Sequence, residues 1–144
     1  MSPRLERHLH QAGYSLTQPR RLVINYLSEH GSATSADLAA GLAGQVNRAT
    51  VFRTLGLFRQ LGIVHDVGLG PQRQVELADR FGPHHHHLVC SQCGRTISFE
   101  SHTIEELVQR VATNHGYQLE QHHLELVGRC PKCQATAGLA TGPV

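Results

Sequence analysis

Apolar positions recur with a helical period along the first sixty residues. In TQPRRLVINYLSEH (residues 17–30) Leu22, Val23, Tyr26 and Leu27 share one stripe, and Pro19 stands near the start, where a helix tolerates it. TSADLAAGLAG follows as a short helix, opened by Thr34 or Ser35 and stopped by glycine. NRATVFRTLGLFRQLG begins with Asn47 as N-cap and repeats apolar residues at 51, 55, 58 and 61, which leaves Arg48, Thr50 and Arg53 toward the other face. Three short helices at this spacing predict a helix-turn-helix whose last member is the reading helix. The period then falls to two. Extended runs at 63–67 and 73–77 flank GLGPQ, which is turn chemistry, and together predict a β-hairpin wing.

ADRFGP reads as a hinge, with Gly82 and Pro83 ending the first module. Beyond it the pattern predicts strands at 86–90 and 95–99, a helix over about 103–114 with Thr103 and Glu106 as a capping box, strands at 117–120 and 123–128, and a frayed tail, ATAGLATGPV. The expected fold class is α+β: a winged helix-turn-helix over 1–78, a hinge at 79–84, a small α/β module over 85–136 and a flexible tail at 137–144.

Composition narrows the functional classes. The chain has 144 residues, 40% of them hydrophobic and 17% charged, which suits one average or two small globular domains. A domain as small as the second module buries little surface, so a metal staple or dimerisation is expected to support it. No run of about 18 apolar residues occurs, and MSPRLERHLHQAG lacks the apolar segment of a signal peptide, so a soluble cytoplasmic protein without a membrane partner is expected. The net charge of +2 gives no bulk argument for nucleic acid, but its distribution does. Residues 1–60 carry 7 arginines against 3 acids (+4), whereas residues 61–144 carry 6 basic against 8 acidic residues (−2). The first half is the one suited to face a polyanion.

The chemistry-bearing residues lie mostly in the second half. Cys90, Cys93, Cys130 and Cys133 form two Cys-x-x-Cys pairs, which in a cytoplasmic chain offer four soft thiolates for a tetrahedral structural zinc. Just ahead of the first pair runs GPHHHH. In an extended segment His85 and His87 point one way and His84 and His86 the other, so one run can feed two sites. Residues able to complete them are scattered: His65, Glu76, Glu105, His115, His122 and His123. Mixed imidazole and carboxylate sets accept Zn, Fe, Mn or Ni(II), with geometry choosing among them. Two rival classes are a zinc hydrolase and a metal-storage or metallochaperone protein. The first needs an open metal position beside a general base, yet no His-Glu-x-x-His helix is present; the second predicts metal binding without DNA binding.

LTQPRRLVINYL, RATVFRTLGLFRQLGIV, HHHHLVCSQCG and HHLELVGRCPKC, in this order and at these distances, resemble the ferric uptake regulator superfamily over roughly residues 5–134. The resemblance implies a winged-helix DNA-binding domain, a hinge and an α/β dimerisation domain. It also implies a homodimeric, metal-dependent transcription factor that binds double-stranded DNA at AT-rich palindromic operators and represses metal-homeostasis genes. By position the four cysteines match a structural Zn2+ site; His85 and His87, with Glu76, match a regulatory site; and His84, His86, Glu105 and His122 match an additional one. The iron, nickel and peroxide branches commonly take a histidine where this chain has Ser32. Here His65 stands where zinc-uptake regulators supply a histidine or aspartate. A His65, Glu76, His85, His87 set suits tetrahedral zinc, so the expected regulatory metal is Zn2+, with Fe2+ or Mn2+ and an iron-, manganese- or peroxide-responsive regulator as alternatives. For DNA the resemblance points to Arg20, Arg48, Thr50, Phe52 and Arg53. Phe52 stands in place of a usual tyrosine, and Ser15 in place of a basic minor-groove residue, which leaves Arg20 to position the phosphate backbone.

Overall fold

Pro3 opens a helix that the periodicity did not announce, α1 (Pro3–Gln11), which buries only Leu5 and Leu9, one turn apart. The structure is a computed structural model and describes residues 3–138. The next helix, α2 (Gln18–His30), has Pro19 in its first turn, where a missing N–H leaves no intrahelical bond unmade, and buries Val23, Ile24 and Leu27. A two-residue strand, β1 (Ser32–Ala33), leads to α3 (Ser35–Gly41). Its N-cap is Thr34, whose hydroxyl accepts the Asp37 N–H at 3.1 Å and donates to the Asp37 carboxylate at 2.6 Å. Helix α4 (Arg48–Gln60) is capped by Asn47, whose side chain accepts the Ala49 N–H at 2.8 Å, and buries Val51, Thr54, Leu55 and Phe58.

The wing comprises β2 (Val64–Val67), a 3-10 turn at Gly70–Gln72 and β3 (Gln74–Leu77). β3 is the centre of an antiparallel sheet ordered β1-β3-β2, so Glu76 lies opposite His65 on one side and Ser32 on the other. Phe58, Leu55, Leu27, Leu38 and Ile63 form the core of this unit, and Leu5 and Leu9 of α1 close it. The segment expected as a hinge is a tight turn here: Phe81 and Gly82 donate to the Ala78 carbonyl at 2.7 and 3.0 Å, and Phe81 packs on the core.

The chain divides into two units. One runs to residue 83 apart from 68–71, which group with the other, beginning at residue 84. The second unit holds β4 (His86–Cys90), β5 (Thr96–Phe99), α5 (His102–Asn114), β6 (Glu125–Gly128) and α6 (Pro131–Gly138). Its sheet is ordered β5-β4-β6, with β5 antiparallel and β6 parallel to β4.

Three expectations differ from this arrangement. Residues 117–120 form no strand, because none of the described strands pairs with them. The N-cap of α5 is Ser101, accepting from the Ile104 N–H at 3.4 Å, so the helix starts ahead of Thr103. The first four residues of ATAGLATGPV continue α6; residues 139–144 of the expected tail lie outside the described residues. Among the described residues no helix is long and apolar enough to cross a membrane.

Candidate metal centres and nucleic-acid face

Strand pairing brings the four cysteines together. Cys90 ends β4, and the turn that follows closes with Gly94 N–H donating to the Cys90 carbonyl at 2.9 Å. Gly94 holds φ at 72°, a left-handed conformation that suits glycine. Because β6 runs parallel to β4 with Gly128 beside Cys90, the second pair emerges at the same end of the sheet as the first. Pro131 then starts α6 and places Cys133 in its first turn. The four sulfurs lie within 4.8 Å of one another, with Cys93 and Cys130 3.8 Å apart.

Their protonation is already polarised. Backbone N–H groups of Cys130, Cys93 and Gln92 hold the Cys90 thiol down to about 6. The thiols of Cys130, Cys93 and Cys90, with burial, push Cys133 up to about 12. One thiolate forms readily and the next resists, as expected of a donor set that needs a cation to neutralise it. Four thiols at this separation fit a tetrahedral zinc of the closed, structural kind.

The second cluster joins the residues leading into β4, β4 itself, α5 and the segment before β6. Donor atoms of His84, His86, Glu105 and His122 all lie within 4.8 Å of one another. Glu105 Oε1 is 2.7 Å from His86 Nε2, 3.2 Å from His84 Nε2 and 3.5 Å from His122 Nε2. Burial raises the Glu105 carboxyl, but His122, His86 and His84 outweigh it and the carboxyl ends below its ordinary value. His86 is fully buried and its Nδ1 has no hydrogen-bond partner. Three imidazoles around one carboxylate fit a divalent ion better than a hydrogen-bond network, since neutral imidazoles cannot all donate to it and accept from one another.

The regulatory candidates divide between the units. In the first, His65 Nε2 sits 2.8 Å from Glu76 Oε1 across the β2–β3 ladder, and the hydrogen bond to Glu76 raises the His65 pKa against the opposing effect of burial. Asp79 adds to that shift. In the second unit His87 is buried on β4, and His85 Nδ1 lies 3.5 Å from Glu100. Sequence reading passed over Asp79 and Glu100. Glu100 follows Phe99, the β5 partner of His86, so strand pairing was the signal for it, whereas Asp79 lies in the turn after β3, which no local pattern announces. His115 and His123 join neither cluster, and His30 stacks on Tyr26 with ring centroids 4.0 Å apart.

Helix α4 carries the candidate DNA face. Arg48, Phe52 and Arg53 are exposed and Thr50 is half-buried. The Arg48 guanidinium lies 5.3 Å from the centroid of the Phe52 ring, and Arg53 donates to the Thr50 hydroxyl at 3.1 Å, so both cations are partly ordered in advance. Arg20 is tied to the Ser15 carbonyl and lies 5.3 Å from the Tyr14 ring centroid.

The ferric uptake regulator family model matches residues 11–127. The chain is 32% identical over 137 residues to the ferric uptake regulation protein of Campylobacter jejuni subsp. jejuni, covering 90% of this chain and 86% of that one. Its structure is similar to the ferric uptake regulator of Vibrio cholerae (TM-score 0.62, 32% identity, 88% of this chain and 99% of that one). It is also similar to a zinc uptake regulator complexed with zinc and DNA (TM-score 0.53, 25% identity, 94% of this chain and 93% of that one). With a helix-turn-helix and wing in one unit and clustered thiols and imidazoles in the other, the chain belongs to the ferric uptake regulator family of metal-responsive, DNA-binding transcription regulators, which are not enzymes.

Proposed function

We propose that this protein is a cytoplasmic, zinc-responsive repressor of metal-homeostasis genes, a homodimer that binds an AT-rich palindromic operator. Residues 1–78 read DNA, 79–84 form the hinge and 85–136 the dimerisation domain. Arg53, Thr50, Phe52 and Arg48 meet the bases and nearby phosphates, and Arg20 positions the backbone. The second unit favours self-association: Leu88, Ile97, Leu126 and Val127 on its sheet, and Leu107 and Val111 on α5, are exposed in the single chain. Cys90, Cys93, Cys130 and Cys133 hold a structural zinc; His65, Glu76, His85 and His87 form the sensing set; His84, His86, Glu105 and His122 hold an additional divalent ion.

The observation that carries the zinc reading is the register of the wing. Glu76 is flanked by Ser32 on β1 and His65 on β2. Ser32 uses its hydroxyl on the Gln74 side chain at 2.6 Å, so the imidazole comes from the opposite side of the same carboxylate. With His85 and His87 this makes one carboxylate and three imidazoles, a four-ligand set suited to tetrahedral zinc. A divalent ion supplies the positive charge that lets these donors share one centre. Because they come from both units, binding it restrains the hinge and shifts the population toward a DNA-competent dimer. Kinship with ferric uptake regulation proteins favours a second reading, response to Fe(II) or Mn(II).

Fluorescence anisotropy of a labelled AT-rich palindrome from the gene's own upstream region, using protein that keeps only its cysteine-bound zinc, separates the two. Tighter binding at trace buffered Zn(II), with Mn(II) needed in large excess, is expected. Tightening with Mn(II) but not trace Zn(II) would assign the iron or manganese branch and remove His65 from the sensing set.

A further inference from the structure

The carboxyl end of the reading helix is held by two side chains that neither the metal clusters nor the DNA face employs. Helix α4 ends at Gln60, and the carbonyls of its C-cap Leu61 and of Gly62 stand at its carboxyl end. His8 of α1 donates from Nε2 to the Leu61 carbonyl at 2.8 Å. Arg80 donates from Nη2 to the same carbonyl at 3.3 Å and to that of Gly62 at 3.2 Å. Phe81 contacts both donors: its ring centroid is 5.3 Å from that of His8 and 4.8 Å from the Arg80 guanidinium carbon. Gly62 has a φ of 60°, and a Cβ there would come within 3.1 Å of Arg80 Nη2, so the glycine makes the turn and leaves room for the guanidinium. A cation on the final carbonyls of a helix is favoured both by hydrogen bonding and by the helix dipole.

The turn bearing Arg80 follows β3 directly, so Glu76 stands only four residues ahead of Arg80, and Ile63, to whose carbonyl the turn is bonded, stands two residues ahead of His65. Backbone hydrogen bonds close this turn. Ala78 N–H donates to the Ile63 carbonyl at 2.9 Å, Phe81 and Gly82 close onto Ala78, and a Cβ on Gly82 would meet Leu77 Cβ at 2.9 Å. A separate tie, Arg59 to Asp66 at 2.8 Å, joins α4 to β2 but involves neither α1 nor this turn.

We propose that His8 and Arg80 are positioning residues, a clasp that fastens the carboxyl end of the reading helix to the turn that follows β3, so that ion binding at the His65–Glu76 pair is felt on the DNA-reading face. The inference rests on the metal-dependent DNA binding proposed above. It assigns α1 a role in transmission, not only in packing.

The test uses the whole 144-residue chain with its proposed cysteine-bound zinc. Arg80→Met keeps an aliphatic stem against Phe81 and removes the donors; His8→Phe keeps the ring contact and removes Nε2. Operator affinity is measured with and without buffered Zn(II), and Zn(II) affinity is measured without DNA by chelator competition. The wild-type protein is expected to gain on the order of 5- to 150-fold in operator affinity from Zn(II). In each variant that ratio should fall several-fold toward one, while Zn(II) affinity without DNA stays at the wild-type value; Arg80→Lys should recover part of the ratio. Variants that keep the wild-type ratio, or lose operator affinity equally with and without Zn(II), overturn the clasp and leave the functional reading standing. A wild-type protein insensitive to Zn(II), Fe(II) and Mn(II) alike overturns both.

Discussion

Withdrawing the proposed zinc from the four thiols should unfold the second unit and leave the first folded. The magnitude follows from where apolar surface is buried. In the first unit Phe58, Leu55, Leu27, Leu38, Ile63, Leu5 and Leu9 are all nearly inaccessible to solvent, a core that needs no ligand. In the second, Val89 is the one buried aliphatic side chain among the described residues, beside Cys90 and Cys133, while Ile97, Leu107, Val111 and Val127 are each about half exposed in the single chain. Burying one valine contributes about 1.5–3 kcal/mol. A structural zinc site contributes about 10–16 kcal/mol of folding free energy at neutral pH, against a typical domain stability of about 5–15 kcal/mol. Losing the ion therefore removes more than the apolar contacts of a single chain can replace. Backbone amide NMR of the full chain, before and after a thiol-competitive chelator, checks this residue by residue. Signals from β4, β5 and β6 should collapse to random-coil positions while those of Val51, Leu55 and Phe58 stay dispersed. If the β4–β6 signals stay dispersed once zinc analysis shows the ion gone, the thiol cluster is not what holds this unit together.

Glu76→Gln should lower the His65 pKa toward the ordinary value of about 6.5, read by imidazole NMR in protein without the sensing ion. The folded-state value is raised, so the pair's stabilisation is fully present below about pH 6.5 and is lost as pH rises through the folded value; the stability gap between wild type and variant should close over that interval, and a gap that widens instead would refute the pairing. Arg53→Ala should weaken operator binding by about 1–3 kcal/mol, losing discrimination at one position if it reads a base, or lowering the salt slope by about one if it meets a phosphate. Glu105→Ala should lower the divalent-ion stoichiometry by one in native mass spectrometry while the thiol-bound zinc remains; unchanged stoichiometry would remove the additional site.

What could be read from the sequence was what depends on local period and local caps. Val51, Leu55 and Phe58 recur at helical spacing and all are buried, and Asn47 and Thr34 cap the helices they precede. Helix α1 escaped because two buried leucines at i and i+4 are too short a pattern to stand out. β1 has only two residues, and its existence depends on β3, more than forty positions away. At α5 both Ser101 and Thr103 are competent caps, and only the observed hydrogen bond chooses Ser101. Residues 117–120 alternate as a strand should, but a strand exists only with a partner. The same distinction governs the sites. Cys-x-x-Cys spacing is local and was legible from the residues alone, whereas the meeting of Glu105 and His122 with the histidine run came through resemblance, and the approach of Asp79 to His65 depends on how the turn after β3 folds.

In the proposed assignment the run of four histidines follows from one property of extended chain. Successive side chains leave opposite faces, so a strand that supplies two donors to each of two sets needs four consecutive residues, and a polar or apolar residue at any of them removes a ligand. His84 and His86 do converge on Glu105 and His122, and His85, on the alternate parity, turns toward Glu100. His86 and His87 pair with Phe99 and Ser98 on β5, and His87 also pairs with Glu125 on β6, so the last two residues of the run, one on each face, belong to a strand paired along both edges, and His84 and His85 lead into it. Such a strand does not twist freely, and a rotation that improves the donors on one face displaces those on the other. In the proposed assignment the sensing and additional ions are therefore linked through β4. Linkage of this kind is reciprocal: whatever factor an ion beside Glu105 lends to zinc binding at His85 and His87, zinc there must return. The Glu105→Ala variant consequently reports on the sensing set as well as on its own, because it removes the ion partner without touching any residue that the sensing set employs.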